Sequence, residues 1–299
     1  MVYQLDRNAY ERTRALFTEL DHQLTAQAVI EGRCPGNIWV DSITRPRSAF
    51  MASPEGHFLV GDDGDAAFNR DLNRLIMGTL LGESANGQRG GTVALVCDPE
   101  GWVEQFDVVL AGRVPIPERR WHYLFERSLV DWRNLVPEGL SIERLDQTLL
   151  DRPGLLIPEH VGRWMKHNWG SVESFLRQGL GCCAVQGQEI VSWCLTDCTS
   201  GGACEIGIRT HPEYRRRGLA TLTVAATVEE CLAQDLTTIG WHGHETNLGS
   251  RGVAEKVGFV KEREYMSYIC LADHEEHRLA TQRVAPGPPD CSSNRNGTI

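Results

Sequence analysis

The chain has 299 residues, of which 41% are hydrophobic and 23% charged, enough for a packed core in two ordinary domains or one large one. A formal net charge of −10 argues against nucleic acid or an anionic membrane as the main partner. No apolar run approaches the length of a bilayer span.

The opening residues, Met1 to Asn8, hold no apolar stretch of the kind a secretory signal needs, so a cytoplasmic location is expected. The ten cysteines then read as buried free thiols rather than a disulfide framework. Cys194 with Cys198, and His242 with His244, lack a second ligand pair at zinc-like spacing, so no metal site is expected.

Residues 8–32 carry Tyr10, Leu16, Phe17, Leu20, Leu24, Ala28 and Val29 at helical spacing, with a break near Asp21-His22. Gly32, Pro35 and Gly36 end the pattern. Strands are expected at 37–41, 48–52 and 57–61, separated by turn formers. Residues 65–81 read as an amphipathic helix with Phe68, Leu72, Leu75, Ile76 and Leu80 on one face, and 87–91 as a loop. Further strands are expected at 92–97 and 106–111, with a short helical piece at 99–105. Residues 119–127 read as a strand crossing between halves. The turn-rich stretch 135–158 reads as linker plus one short strand, placing a boundary near 135–155.

The second half starts with a helix at 159–167. Ser171 caps a short helix reaching Gln178, and strands 181–186 and 189–197 flank the turn Gly187-Gln188. Strand 204–210, an apolar helix to about 232, strand 237–243, helix 249–256 and strand 263–271 follow. Residues 273–299, polar and rich in Pro, Gly and Ser, read as a disordered tail. The expected organisation is an α/β domain at 1–145, a second domain at 150–272 and a tail at 273–299.

The most informative stretch is 203–220, A-C-E-I-G-I-R-T-H-P-E-Y-R-R-R-G-L-A: strand, basic turn, helix start. The first N–H groups of a helix lack internal partners and carry partial positive charge, so a pyrophosphate sits well there. Gly218 lets the phosphate approach the backbone, and the arginines add charged donors. Residue chemistry alone therefore describes an anion cradle for a phosphorylated cofactor, in which the backbone N–H groups of residues 216–220 outweigh the side chains.

R-x-x-G-x-A after an E-I-x-I strand and a P-E-Y turn resembles the acetyl-CoA signature of GCN5-related N-acetyltransferases (GNAT). Asn247-Leu248-Gly249-Ser250, followed by Ala254-Glu255-Lys256-Val257-Gly258-Phe259, is similar to that family's N-x-x-S/A…E-K-x-G-F segment. The resemblance covers roughly residues 154–271. The run C-E-I-G-I-R-T…Y-R…G-L-A-T, with W-x-x-x-x-x-N before A-E-K-x-G-F, also resembles a bacterial subgroup of two-domain acetyltransferases that includes the zwittermicin acetyltransferase. The resemblance implies an α/β (α+β) GNAT fold: a central, mixed, mostly antiparallel sheet with helices on both faces. Strands on either side of the signature should splay apart to admit pantetheine. It implies acetyl-CoA as cosubstrate, held by Ile208, Arg209, Thr210, Arg215, Arg216, Arg217, Gly218, Leu219, Ala220, Asn247 and Ser250. The first half has the element order of such a fold without its cofactor motif; a degenerate first copy and an unrelated α+β cap both stay open.

Acetyl transfer to an amine needs a base for the amine, an oxyanion stabiliser and a proton for the leaving thiolate. Glu205 is the candidate base, with a raised pKa expected for a carboxylate between Cys204 and Ile206. His242 and His244 fall on one face of the next strand; each reads as base, substrate ligand or structural histidine. Trp241 reads as core, and Ser250 as a helix cap as well as a cofactor contact. The family's usual acid, a tyrosine seven residues after the asparagine, is Ala254 here, so Ser250, Tyr265, Tyr268 or water takes that role. The expected activity is N-acetylation of a primary amine of a small molecule by direct attack in a ternary complex, by a monomer or homodimer. A non-catalytic acyl-CoA-binding or sensor protein is the alternative.

Overall fold

Short β-branched and aromatic runs separated by turn residues pair mostly with their sequence neighbours, as antiparallel ladders. In the computed structural model, which describes residues 1–82 and 91–284, these are β1 (Tyr3–Gln4), β2 (Asn37–Val40), β3 (Ser48–Ala52), β4 (His57–Gly61), β5 (Thr92–Asp98) and β6 (Ile116–Phe125) in the first half. The second half supplies β7 (Leu140–Arg144), β8 (Gly181–Gln186), β9 (Glu189–Ser200), β10 (Ala203–Thr210), β11 (Thr238–His244) and β12 (Phe259–Leu271). All twelve join one sheet in the order β1-β2-β3-β4-β5-β12-β6-β11-β10-β9-β8-β7. Only β4/β5 and β10/β11 are parallel neighbours.

That order is symmetric about the central β12/β6 pair. Each half runs as an antiparallel meander into one parallel pair, and each then receives the last strand of the other: β12 adds to β5, and β6 adds to β11. The two halves therefore interlock through their central strands. The strand expected at 119–127 does cross between halves, as β6, which runs from Ile116 to Phe125.

The helices are α1 (Leu24–Ile30), α2 (Ala66–Leu75), α3 (Phe106–Val109), α4 (Gln147–Leu150), α5 (Glu159–Trp169), α6 (Val172–Gln178), α7 (Leu219–Ala233), α8 (Leu248–Val257) and α9 (His274–Val284). The first helical pattern breaks at Asp21-His22, between a 3₁₀ segment, Arg7–Leu20, and α1. Ser171 caps α6 by accepting from the Ser174 N–H at 3.0 Å. α1 packs on β9 and β10, and α7 on β8, β9 and β10.

Three expectations change. Residues 106–111 are not a strand: Phe106 and Val109, three apart, both face the core beside Trp102 as the helix α3, and a short apolar run does not distinguish the two periods. β12 begins at Phe259 rather than 263, because β6 pairs with it along its whole length across a register shift at Lys261/Arg263. Residues 274–284 are the helix α9, anchored by the buried His277, whose Nε2 pairs with the Val114 carbonyl at 2.9 Å; the rest of the expected tail, and most of the 87–91 loop, lie outside the described residues. Among the described residues nine cysteines are free and eight of them buried, and no helix is long and apolar enough to cross a membrane.

Candidate active site

Parallel pairing between β10 and β11 lasts for three residues only, Ala203↔Thr238, Cys204↔Ile239 and Glu205↔Gly240. Beyond that point Ile206 to Thr210 pair with β9 alone, while Trp241 to His244 pair with β6. The strands diverge as expected, and a cleft of about 970 Å³ opens between them. Glu205 sits at its apex.

The β10–α7 turn closes one end. Gly218 is the N-cap of α7 at φ +80°, and a Cβ placed there would meet nothing within 4 Å. The unpaired N–H groups of the first helical turn are thus open to an incoming anion. Arg216, a non-glycine residue at φ +60°, holds the turn in a conformation that L side chains rarely adopt. Ile208, Arg209, Thr210, Arg215, Arg216, Gly218, Leu219, Ala220, Asn247 and Ser250 all line the cleft. Arg217 does not; its guanidinium lies over the Tyr214 ring at 5.0 Å. Asn247, not Ser250, caps α8, its Oδ1 accepting from the Ser250 N–H at 3.1 Å. The Ser250 side chain is thereby left to the cleft.

The matching turn in the first half, β4 to α2, reads Asp62-Asp63-Gly64-Asp65. Asp65 accepts from the Ala67 and Phe68 N–H groups at 2.9 and 3.0 Å. A carboxylate of the chain already occupies that helix start, and two more aspartates precede it, so a phosphate is excluded there.

Alternation along the central strands decides which groups meet at the apex. Cys204, Ile206 and Trp241 pack into the core under α7, so Glu205 and His242 turn to the opposite face, toward α1. Glu205 Oε1 accepts from the Leu24 N–H at the start of α1, 181 residues earlier, at 2.8 Å, and lies 3.0 Å from His242 Nε2. The Cys198 thiol donates to Oε2 at 3.6 Å. On the far side of the ring, His242 Nδ1 lies 2.9 Å from the Tyr265 hydroxyl. His122 of β6 stacks on His242, ring centroids 4.6 Å apart, and its Nδ1 is 3.1 Å from Glu262 Oε2.

These contacts reverse the expectation for Glu205. Burial pushes its pKa up, but the His242 imidazole and its hydrogen bond, the Leu24 N–H and His122 more than offset this, and the pKa falls below the ordinary glutamate value. Glu205 is therefore a carboxylate at neutral pH. Burial keeps His122 below the ordinary imidazole value and raises the Tyr265 phenol. Glu262 is drawn down to about 2, chiefly by its hydrogen bond from Arg263.

His244 is not part of this group; its Nδ1 pairs with Glu118 Oε1 at 2.8 Å on a half-exposed stretch. Tyr268 packs on Phe106 in the first-half core. Ala254 is buried on the inner face of α8, and no residue of that helix carries the family's usual phenol.

The other end of the cleft is acidic and aromatic. Between Glu205 and Ile206 the β9 register shifts by one residue, leaving Asp197 opposite no partner, as a bulge directs a side chain out of the ladder. Asp197 Oδ1 accepts from Trp164 Nε1 at 2.5 Å and from Asn168 Nδ2 at 2.9 Å. The same Asn168 amide donates to Glu55 Oε1 at 2.6 Å. Burial, then the Glu55 charge, hold the Asp197 pKa well above the usual carboxylate range. Gly207 lets Trp164 lie across β10: a Cβ there would stand 2.3 Å from Trp164 Cζ2.

The sequence model of the GNAT acetyltransferase family matches residues 14–268. The chain is 23% identical over 269 residues to the uncharacterized N-acetyltransferase YdfB of Bacillus subtilis, a match covering 90% of this chain and 98% of that one. In fold it is similar to a GCN5-related N-acetyltransferase-like protein from Streptococcus suis (TM-score 0.65, 24% identity, 87% of this chain and 98% of that one). It is also similar to a tandem GNAT protein of the clavulanic acid biosynthesis pathway (TM-score 0.55, 14% identity, 91% and 99%). With a family match running through both halves of the sheet and both sides of the cleft, the chain belongs to the GNAT acetyltransferase family.

Proposed function

We propose that this protein is an acetyl-CoA-dependent N-acetyltransferase that acetylates a small-molecule primary amine by direct attack in a ternary complex. The observation that carries this reading is the single cleft that joins the Gly218 turn to the Glu205–His242 pair where β10 and β11 part. Acetyl-CoA, when bound, supplies the acetyl thioester. The N–H groups opening α7 take its pyrophosphate, with Arg215 and Arg216 adding charge. The free edge of Ile206 to Thr210 offers backbone groups to the pantetheine amides. Asn247 and Ser250 border the same passage.

Glu205, ionised at neutral pH, holds His242, and the pair takes the amine proton as a unit, directly or through a water. Tyr265 orients the ring from behind and does not line the cleft. At the far end, the Trp164 ring and the Glu55 carboxylate favour an amine that arrives with positive charge. The first half, residues 1–145, serves as a degenerate copy of the second, at 150–272: the mirrored strand order supports this, and its cradle position is blocked by Asp65. It contributes the Leu24 N–H and the wall holding Glu55.

Thiol release from acetyl-CoA, followed over a panel of mono- and polycationic amines, tests the reading. Release that depends on the amine supports it. The absence of a phenol at Ala254 favours a second reading, a non-catalytic acyl-CoA-binding or sensor protein. That protein would bind CoA in calorimetry with no amine-dependent release from any acceptor.

A further inference from the structure

We infer that His122, Glu205 and His242 form a binding site for a divalent transition-metal ion, Zn²⁺ foremost. The three stand on adjacent strands, β6, β11 and β10. His122 lies opposite His242 in register, and Glu205 is level with Gly240. Their ligand atoms all lie within 4.8 Å of one another. His122 and Glu205 are each 5% exposed. Gly240 keeps the space between them clear: a Cβ there would sit 2.9 Å from His122 Nε2 and 3.3 Å from Glu205 Cγ.

The surroundings orient each group as a ligand. The Glu262 carboxylate at His122 Nδ1 fixes the tautomer that carries its proton there, which leaves the Nε2 lone pair toward the group. A carboxylate behind an imidazole is the usual support of a metal-binding histidine. Tyr265 meets His242 at Nδ1 and accepts its proton once Nε2 is engaged. The Leu24 N–H anchors Glu205. Two neutral imidazoles and a carboxylate suit Zn²⁺, and the charges of Glu205 and nearby Glu262 balance a dication. Arg263 is committed to Glu262 and Asp21. Glu205 and His242 line the cleft, so the remaining coordination position opens there, to water or a donor atom of the acceptor.

An ion at this site takes the carboxylate and the imidazole lone pair away from proton abstraction. It therefore inhibits acetylation reversibly, a consequence that rests on the base reading above. The test uses the full chain stripped by chelator. Calorimetric titration with Zn²⁺ is expected to give one ion per chain, with Mg²⁺ binding far more weakly. Co²⁺ in its place should show the visible bands of a tetrahedral nitrogen–oxygen site without a thiolate charge-transfer band. His122→Ala, checked by circular dichroism, should weaken Zn²⁺ binding at least about tenfold. No binding, a thiolate band marking cysteine ligation, or unchanged affinity in His122→Ala overturns the site. The Co²⁺ spectrum decides on wild-type protein if His122→Ala does not fold. One bound Zn²⁺ with undiminished acetylation leaves the site standing and overturns the base reading. Absence of binding, with a rate loss in Glu205→Gln, overturns the site alone.

Discussion

Glu205→Gln isolates the charge of the apex carboxylate from its shape. The amide can keep a carbonyl oxygen at the Oε1 position, where it still accepts from Leu24 N–H and His242 Nε2, 2.8 and 3.0 Å away. Its NH₂ then replaces Oε2 beside the Cys198 sulfur, a weak acceptor. Packing is therefore retained and the anion is lost. General base catalysis contributes about 10²–10⁴-fold, so kcat with a saturating amine at neutral pH should fall by that factor, about 3–5 kcal/mol of barrier. The Gly218 turn is untouched, so KM for acetyl-CoA should stay within about twofold. The pH–rate profile gives a second, sharper readout. Because the Glu205 pKa is below its ordinary value, an acid limb in the wild-type profile would belong to the Glu205–His242 pair as a coupled unit. Removing the anion that stabilises the pair's protonated form should move that limb to lower pH. The assay is stopped-time thiol release from pH 5 to 9 for wild type, Glu205→Gln and His242→Ala. A loss under about threefold in both variants, with the limb unmoved, refutes the reasoning; the amine then arrives deprotonated and the enzyme works by positioning alone.

Gly218→Asp places a Cβ and a negative charge in the open space before α7, at a φ of +80° that costs an L residue about 1 kcal/mol. A like charge near 4 Å adds about 1–4 kcal/mol of repulsion, so calorimetry should show CoA affinity down by roughly 10²-fold or more, with the far-ultraviolet dichroism retained. Gly207→Ala drives a methyl into Trp164 at 2.3 Å; the displaced indole should raise KM for the amine severalfold and leave KM for acetyl-CoA unchanged in initial-rate assays. Burial holds His57 at about 4 against 6.5 for a free imidazole. A depressed histidine contributes stability that is present above the higher value and lost as pH falls toward the lower one. This group alone should remove about 2 kcal/mol of unfolding free energy between pH 7 and pH 5. Urea titration of His57→Phe should show a correspondingly shallower loss over that window, even if the lost Ala94 N–H contact lowers its absolute stability.

Local chemistry determined much of this protein from the sequence alone. The basic Gly218 turn lies between an Ile-rich strand and an Ala-rich helix, so its position followed from turn and helix-start residues within a few places of one another. The same holds for the Ser171 cap and the Gly187-Gln188 hairpin, whereas the divergence on either side of the signature was implied by the family resemblance. The run 106–111 was ambiguous because six apolar-rich residues fit either period, and only packing against Trp102 selects the helix. The helical start of the tail was hidden because polar composition says little about a segment anchored by one buried histidine.

Tertiary structure alone decided the apex. His122, Leu24 and Tyr265 reach Glu205 and His242 from β6, the start of α1 and β12, and no spacing rule links residues brought together by strand exchange. A sequence reading could weigh burial of Glu205 but not the imidazole 3.0 Å away, so it anticipated a raised pKa where the fold lowers it. His244 shares a strand and an alternation phase with His242, yet the sheet turns it to Glu118. The same long-range pairing made the proposed metal triad invisible, since its three ligands sit on three strands and none lies at ligand spacing from another. Local residues could write the cradle, because a helix start binds an anion through its own backbone. The Glu205–His242 group needed the whole sheet, because it is assembled across both halves of the chain.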